Sequence, residues 1–266
     1  MPKKTTDPKK TVKARIRKRA EDLLRFLDAS PCAYHAVDSL RSRLEAAGFE
    51  EVRESERFEL EAGGRYYLRR NDAALLAFVV GTDAPSRAGF RMVGAHTDSP
   101  GFRVKPNPEV VDPVSGLVRL GVENYGGPIV ATWTDRDLAL CGRVILKGRG
   151  NTTETRLVLT APIVTLPNAA IHMNRKANEE GLKLNTQTQF TVLLGTTAAG
   201  VPEENAIRKL LAKTLSVKID RILDHDLFLC DTQPGSFGGA NDEFLRSGRL
   251  DDLQMCHAGV EALIAG

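Results

Sequence analysis

Three stretches of this 266-residue sequence concentrate side chains that can hold a metal ion or move a proton. In Gly94-Ala95-His96-Thr97-Asp98-Ser99-Pro100, a histidine and an aspartate stand two residues apart at the end of an apolar run. On a strand such residues share a face, so His96 and Asp98 project together. They do so at the edge where open α/β sheets place their ligand crevices. An imidazole that binds metal through one nitrogen needs the other held, and a nearby carboxylate does this. The same residues would equally serve a surface turn carrying an incidental histidine. In Ser247-Gly248-Arg249-Leu250-Asp251-Asp252, Asp251 stands at the entrance to an apolar helix. It reads either as a helix cap or as a carboxylate whose two oxygens each take one of two cations about 3.5–4 Å apart. The third stretch places His172 among Asn168, Asn174 and Arg175, with Asn185, Gln187 and Gln189 following. That cluster suits a carbonyl or carboxylate ligand, or a hydrogen-bonded loop.

The elements that must carry these residues are legible from periodicity. Val12, Ile16, Ala20, Leu23, Leu24 and Leu27 recur at helical spacing. Ser30-Pro31 predicts the start of a second helix, with the serine as cap and proline in the first turn. Val37, Leu40 and Leu44 fall on one face of it, and Gly48 stops it. Residues 66–68 and 74–80 read as strands joined by a tight turn at Asn71-Asp72, and 90–95 as a strand running into His96. Beyond Pro100 the texture changes to short strand-like segments at 102–105, 109–112, 117–122, 141–147, 155–160 and 188–194, with one helix over 203–215. Helical character resumes near Leu253. The expected architecture is an α/β domain, residues 21–98 with 237–266, interrupted by a β-rich insert over 99–236 and preceded by a basic disordered leader, 1–20.

Composition narrows the class. With 42% hydrophobic and 27% charged residues, collagen-like and wholly disordered readings fail. No run approaches the ~20 apolar residues that a membrane helix needs, so no membrane partner is expected. The four cysteines are far apart and form no CxxC pair, which argues against a disulfide framework and for a reducing, cytoplasmic setting. Nine cations against Asp7 give the leader a charge of +8, leaving −5 for the rest of a chain whose net charge is +3. No aromatic interleaves those cations as a base-stacking platform would require, so the leader reads as a solvated segment and no nucleic-acid partner is expected. Asp135-Arg136-Asp137 reads as a packed ion network, and His35, His225 and His257 as structural histidines.

Taken in order, GAHTDSP, VKP, ENYGG, TWTDRDL followed by CGRV, IHMNR, LNTQTQ and RLDDL form a pattern. From about Phe26 onward the chain resembles the aspartyl aminopeptidase family of dinuclear zinc exopeptidases. The resemblance implies a zinc-exopeptidase-like α/β domain interrupted by a β-rich oligomerisation insert, so that the chain self-associates. It implies two zinc ions, with other divalent metals able to serve, and a peptide substrate that loses its N-terminal residue to a metal-activated water. Acidic residues are candidates for the one removed. His96 matches a metal ligand, Asp98 the catalytic carboxylate that supports it, and Asp251 the metal-bridging aspartate, with a cis peptide expected at Asp251-Asp252. His172 matches a histidine of the insert placed near the substrate carbonyl; a zinc-ligand role is the alternative. Family members also carry an adjacent glutamate pair, a further aspartate and a final histidine, and none of these follows Gly266. The resemblance therefore implies a C-terminally truncated member, incomplete in its α/β domain and inactive as it stands. The rival reading is a catalytically dead assembly or regulatory module that keeps the insert's subunit contacts.

Overall fold

The computed structural model describes residues 8–185 and 189–266. In chain order the elements begin with α1 (Pro8–Asp28), α2 (Ala33–Ala46), β1 (Glu50–Glu51), β2 (Arg65–Arg70), β3 (Ala74–Val79) and α3 (Pro85–Ala88). Next come β4 (Gly101–Val111), β5 (Leu117–Tyr125), β6 (Leu138–Lys147), β7 (Thr153–Leu159), α4 (Ala177–Glu180), β8 (Thr191–Thr196), α5 (Ala206–Thr214) and β9 (Ile222–Asp231). The chain closes with β10 (Ser236–Gly238), β11 (Phe244–Arg246) and α6 (Leu250–Ala265). It divides into two compact units, Met1–Asp98 with Pro234–Gly266, and Ser99–Gln233.

The first unit is mixed α/β. Its core joins Leu24, Phe26 and Leu27 of α1, Ala36, Leu40 and Leu44 of α2, Tyr67 of β2, and Leu253, Cys256 and Val260 of α6. The small sheet runs β1-β2-β3, with β1 parallel and β3 antiparallel to β2. Asn71 and Asp72 both take positive φ, 51° and 57°, which the tight turn between β2 and β3 requires. Residues 8–20 of the expected leader are helical, because α1 begins at Pro8; residues 1–7 lie outside the described residues. The helix start expected at Ser30 also falls differently. α2 begins at Ala33 after Cys32, with no side-chain cap, and Ser30 is fully buried with its hydroxyl unpartnered.

Residues 90–95, expected as a strand, form none. A strand exists through its ladder, and no strand among the described residues pairs with them. Phe90, Met92 and Val93 are left 78%, 86% and 76% exposed.

The second unit is a six-stranded antiparallel sheet in the order β7-β6-β9-β4-β5-β8. The segments 102–105 and 109–112 join into one strand, β4, interrupted by a bulge between Val104 and Glu109. One face of the sheet packs Phe102, Leu120, Leu140, Leu146, Leu227 and Leu229 into a core that Ile207 and Leu211 of α5 cover. β9 has no counterpart in the sequence reading, yet it lies between β6 and β4 in this sheet. Gly142 is required where β6 meets it, since a methyl there would overlap the Asp226 carbonyl oxygen.

Candidate metal centre

The start of α6 sets the geometry of the first unit's polar cluster. Arg249, in the left-handed region at φ 60°, reaches back with Nη2 to donate to the Leu27 carbonyl at 3.2 Å. This ties the entrance of α6 to the C-terminal end of α1. Asp251 and Asp252 depart from helical φ/ψ, and the peptide between them is cis, as the resemblance implies. From Leu253 the helix runs regularly, and Leu253, Cys256 and Val260 bury one face against α1 and α2. The side chains that precede this anchored face therefore stand at a defined place.

Residues 94–98 pass beside them. Thr97 donates its hydroxyl to the Ala73 carbonyl at 2.6 Å, which holds this segment to the hairpin of β2 and β3. The His96 N–H donates to Asp252 Oδ2 at 3.1 Å, and Cys256 Sγ donates to the His96 carbonyl at 3.1 Å. The His96 ring has Nδ1 3.0 Å from the Asp98 carbonyl oxygen and 3.4 Å from Asp98 Oδ1. Since a carbonyl only accepts, Nδ1 carries the proton. Asp98 thus orients the ring chiefly through its backbone, and its carboxylate stands slightly further off. The strand argument anticipated a shared face for the two side chains, but no ladder forms there.

That tautomer leaves a lone pair on Nε2, which faces Asp251 Oδ1 at 3.3 Å. Two acceptors in that position repel unless a cation stands with them. A proton would draw them to about 2.7–2.9 Å as a charge-assisted hydrogen bond. Two ligand atoms about 2.0–2.1 Å from one tetrahedral zinc stand about 3.3 Å apart. The donor set of imidazole nitrogen and carboxylate oxygen at this spacing fits zinc. The Asp251 side chain is 92% exposed.

The electrostatics agree with an anionic site. Hydrogen bonding to the Asp98 carbonyl, opposed by desolvation and helped by the carboxylates of Asp98, Asp252 and Asp251, raises His96 above the usual imidazole range. Burial pushes the Cys256 thiol up to about 11, so it is a protonated donor at neutral pH.

A second group in the same unit, Asp22, His257 and Glu261, also has the residue types of a metal site. It is already neutralised. Arg43 Nη1 lies 2.8 Å from Asp22 and 2.9 Å from Glu261, and His257 Nε2 is 2.8 Å from Asp22. A divalent ion would have to displace the guanidinium. The cluster is an ion network joining α1, α2 and α6, which makes His257 structural.

In the second unit, His172 lies exposed on a turn. That turn follows Asn168, whose N–H donates to Asp135 Oδ1 at 2.9 Å, and Asp135 N–H donates to the Leu166 carbonyl at 2.9 Å. Asp135 therefore braces the loop, while Arg136 pairs with Asp231 at 2.6 Å. Of the ion network expected at 135–137, Arg136 thus pairs with Asp231 at the end of β9. Thr186, Gln187 and Thr188 of the amide-rich stretch lie outside the described residues. Asp252 and Cys256 are the site residues that sequence reasoning missed. Their signal was their spacing on α6, but nothing in the sequence says which backbone meets that face.

Comparison with known proteins places this geometry in context. A family model described as "Aminopeptidase I zinc metalloprotease (M18)" matches residues 26–266. A curated relative from Clostridium novyi, "Probable M18 family aminopeptidase 2", is 46% identical over 92% of this chain and 56% of its own length. Among solved structures, Chaetomium thermophilum mApe1 superposes with a TM-score of 0.82 at 30% identity, over 92% of this chain and 57% of that one. The S. cerevesiae mApe1 dodecamer gives 0.78 at 26% identity, over 94% and 56%. The chain thus spans a little over half the length of these relatives.

Proposed function

This chain belongs to the aminopeptidase I zinc metalloprotease (M18) family, and on that premise we propose that it carries part of a zinc-dependent aminopeptidase site. His96 Nε2 and Asp251 would hold zinc, Asp251 would be the carboxylate shared between two ions, and Asp98 holds the His96 ring. The observation that carries this reading is the 3.3 Å between Nε2 and Asp251 Oδ1, with the other ring nitrogen already donating to Asp98. When bound, zinc supplies Lewis-acid polarisation of a carbonyl and makes water a stronger acid.

The chain's own residues do the rest. The Asp98 carbonyl keeps the proton on Nδ1 and so keeps the Nε2 lone pair free. The Asp251 carboxylate, having two oxygens, would be the group shared with a second ion. His172 is the contact for the substrate carbonyl, on a loop braced by Asp135. The substrate is the N-terminal residue of a peptide, with acidic residues as candidates.

Among the described residues His96 and Asp251 are fewer ligands than a catalytic zinc takes, which is three protein groups and an open position. The 266-residue chain by itself therefore binds zinc weakly and turns over no measurable substrate. The second unit mediates self-association; the dodecameric assembly of the yeast relative supports this. Four free thiols support a reducing compartment, the cytoplasm, and no helix among the described residues is long and apolar enough to cross a membrane.

Cobalt substitution tests the site. Cobalt(II) added to the chain should give visible absorption bands that vanish in His96→Ala and Asp251→Ala. Equal bands in wild type and both variants would sink the ligand assignment.

A further inference from the structure

The geometry points to Asp252 and Cys256 as positioning residues that hold the peptide backbone of His96 from both sides and so fix where its imidazole stands. The inference rests on His96 being a zinc ligand, as proposed above.

A residue within a sheet has its N–H and C=O occupied by neighbouring strands. His96 lies outside any ladder, in a segment with exposed residues on its approach. Its two backbone groups are nonetheless both engaged, and by side chains of one helix. Asp252 takes the N–H at 3.1 Å across a sequence separation of 156 residues, and Cys256 gives its S–H to the C=O at 3.1 Å across 160. The two stand about one turn apart along α6. Cys256 belongs to the buried face that packs on α1 and α2, whereas Asp252 is half-buried at the kink. With both flanking peptides pinned and Nδ1 tied to the Asp98 carbonyl, the protein's own hydrogen bonds set the direction of Nε2. Consecutive residues then divide the work at His96: Asp251 faces the ring and Asp252 holds the amide.

Each residue has a simpler role that the test must separate from this one. Cys256 could only fill the core, in which case the apolar Val, of similar size, should replace it better than Ser. As a donor, it should be replaced better by Ser. Asp252 could act only by its charge near a cation, in which case Asn should be as damaging as Ala. As an acceptor, it should be replaced by Asn, whose carbonyl oxygen keeps the bond.

The experiment uses the 266-residue chain and two readouts. Amide hydrogen exchange at His96, followed by NMR without metal, reads the N–H bond to Asp252; zinc titration against a chelating dye reads the consequence of both bonds. Thermal unfolding of each variant confirms that it is folded. Asp252→Asn and Cys256→Ser should keep the His96 amide protected and zinc affinity within about threefold. Asp252→Ala should lose the protection, and both Asp252→Ala and Cys256→Val should weaken zinc binding about 10–100-fold, the range for lost outer-shell support. Protection unchanged in Asp252→Ala, or zinc binding by Cys256→Val that equals wild type and exceeds Cys256→Ser, would overturn the inference. If His96→Ala binds zinc as wild type does, the ligand reading falls and the functional half of this inference with it. The exchange data still judge the Asp252 hydrogen bond separately.

Discussion

His96 Nε2 and Asp251 Oδ1 face each other at 3.3 Å while a backbone carbonyl holds the proton on the opposite ring nitrogen. A lone pair and a carboxylate are kept at that distance by a loop on one side and an anchored helix on the other. The arrangement suits a cation.

The division of labour around the ring gives the first prediction. Asp98 contributes its carbonyl at 3.0 Å and its carboxylate only at 3.4 Å. Asp98→Ala keeps the carbonyl, so its zinc affinity should fall by about tenfold, the low end for outer-shell groups. His96→Ala and Asp251→Ala remove ligand atoms and should lose at least about a hundredfold. Isothermal titration with zinc ranks the three. A loss in Asp98→Ala as large as in His96→Ala would show that the carboxylate, not the carbonyl, orients the ring.

His172 should behave differently from both. As the proposed substrate contact on the second unit, it should leave zinc affinity unchanged when replaced by Ala. Asp135→Ala should increase amide exchange at Asn168, because it removes the carboxylate that accepts that N–H at 2.9 Å. A tenfold loss of zinc affinity in His172→Ala would instead move this residue into the ligand set.

The ion network of the first unit carries a pH signature. The hydrogen bond from Arg43, helped by His257 and Arg25 against the opposing cost of burial, holds the Asp22 carboxyl well below the usual range. A carboxyl depressed in the folded state stabilises the fold above its unfolded value, near 4. That stability is lost as pH falls through the depressed value. Asp22→Asn should therefore cost about 1–2 kcal/mol at pH 7, in the range for hydrogen bonds to charged groups discounted for partial exposure. The difference should shrink progressively below about pH 4. Urea unfolding of both proteins across pH measures it, and a pH-independent difference would mean that Asp22 acts through packing alone.

How much of this was readable beforehand depended on range. Helical faces such as Leu40 and Leu44, and the turn at Asn71-Asp72, follow from local periodicity and backbone preference, and both stand in the structure. β9 did not read as a strand because Asp224, His225 and Asp226 interrupt its apolar pattern. They are tolerated through partners distant in sequence, as when Arg103 pairs with Asp226 at 2.8 Å. The association of His96 with Asp251 was legible through motif resemblance. The roles of Asp252 and Cys256 were not, since a thiol on a buried helical face announces packing, and only coordinates reveal the carbonyl it meets. The expected strand at 90–95 failed for a related reason: apolar composition marks a strand, but pairing makes one.

That same segment supplies the last prediction. Phe90, Met92 and Val93 are consecutive or near neighbours in sequence, each more than three-quarters exposed, and they belong to no ladder. Apolar side chains beside unpaired backbone invite association between copies. The chain should therefore aggregate as its concentration rises, and more readily in kosmotropic salt, which strengthens apolar burial. Replacing Phe90 and Val93 together by Ser should suppress this, because neither is buried and little stability is at stake. The discrete self-association proposed for the second unit, to which Phe90 and Val93 do not belong, should survive the change. Sedimentation velocity separates the two outcomes: the double variant should lose its polydisperse fast-sedimenting material and keep a defined oligomer. If the polydisperse material persists unchanged, the adhesive surface lies elsewhere, and Ile171 and Met173, exposed beside His172 at 54% and 75%, are the next residues to replace.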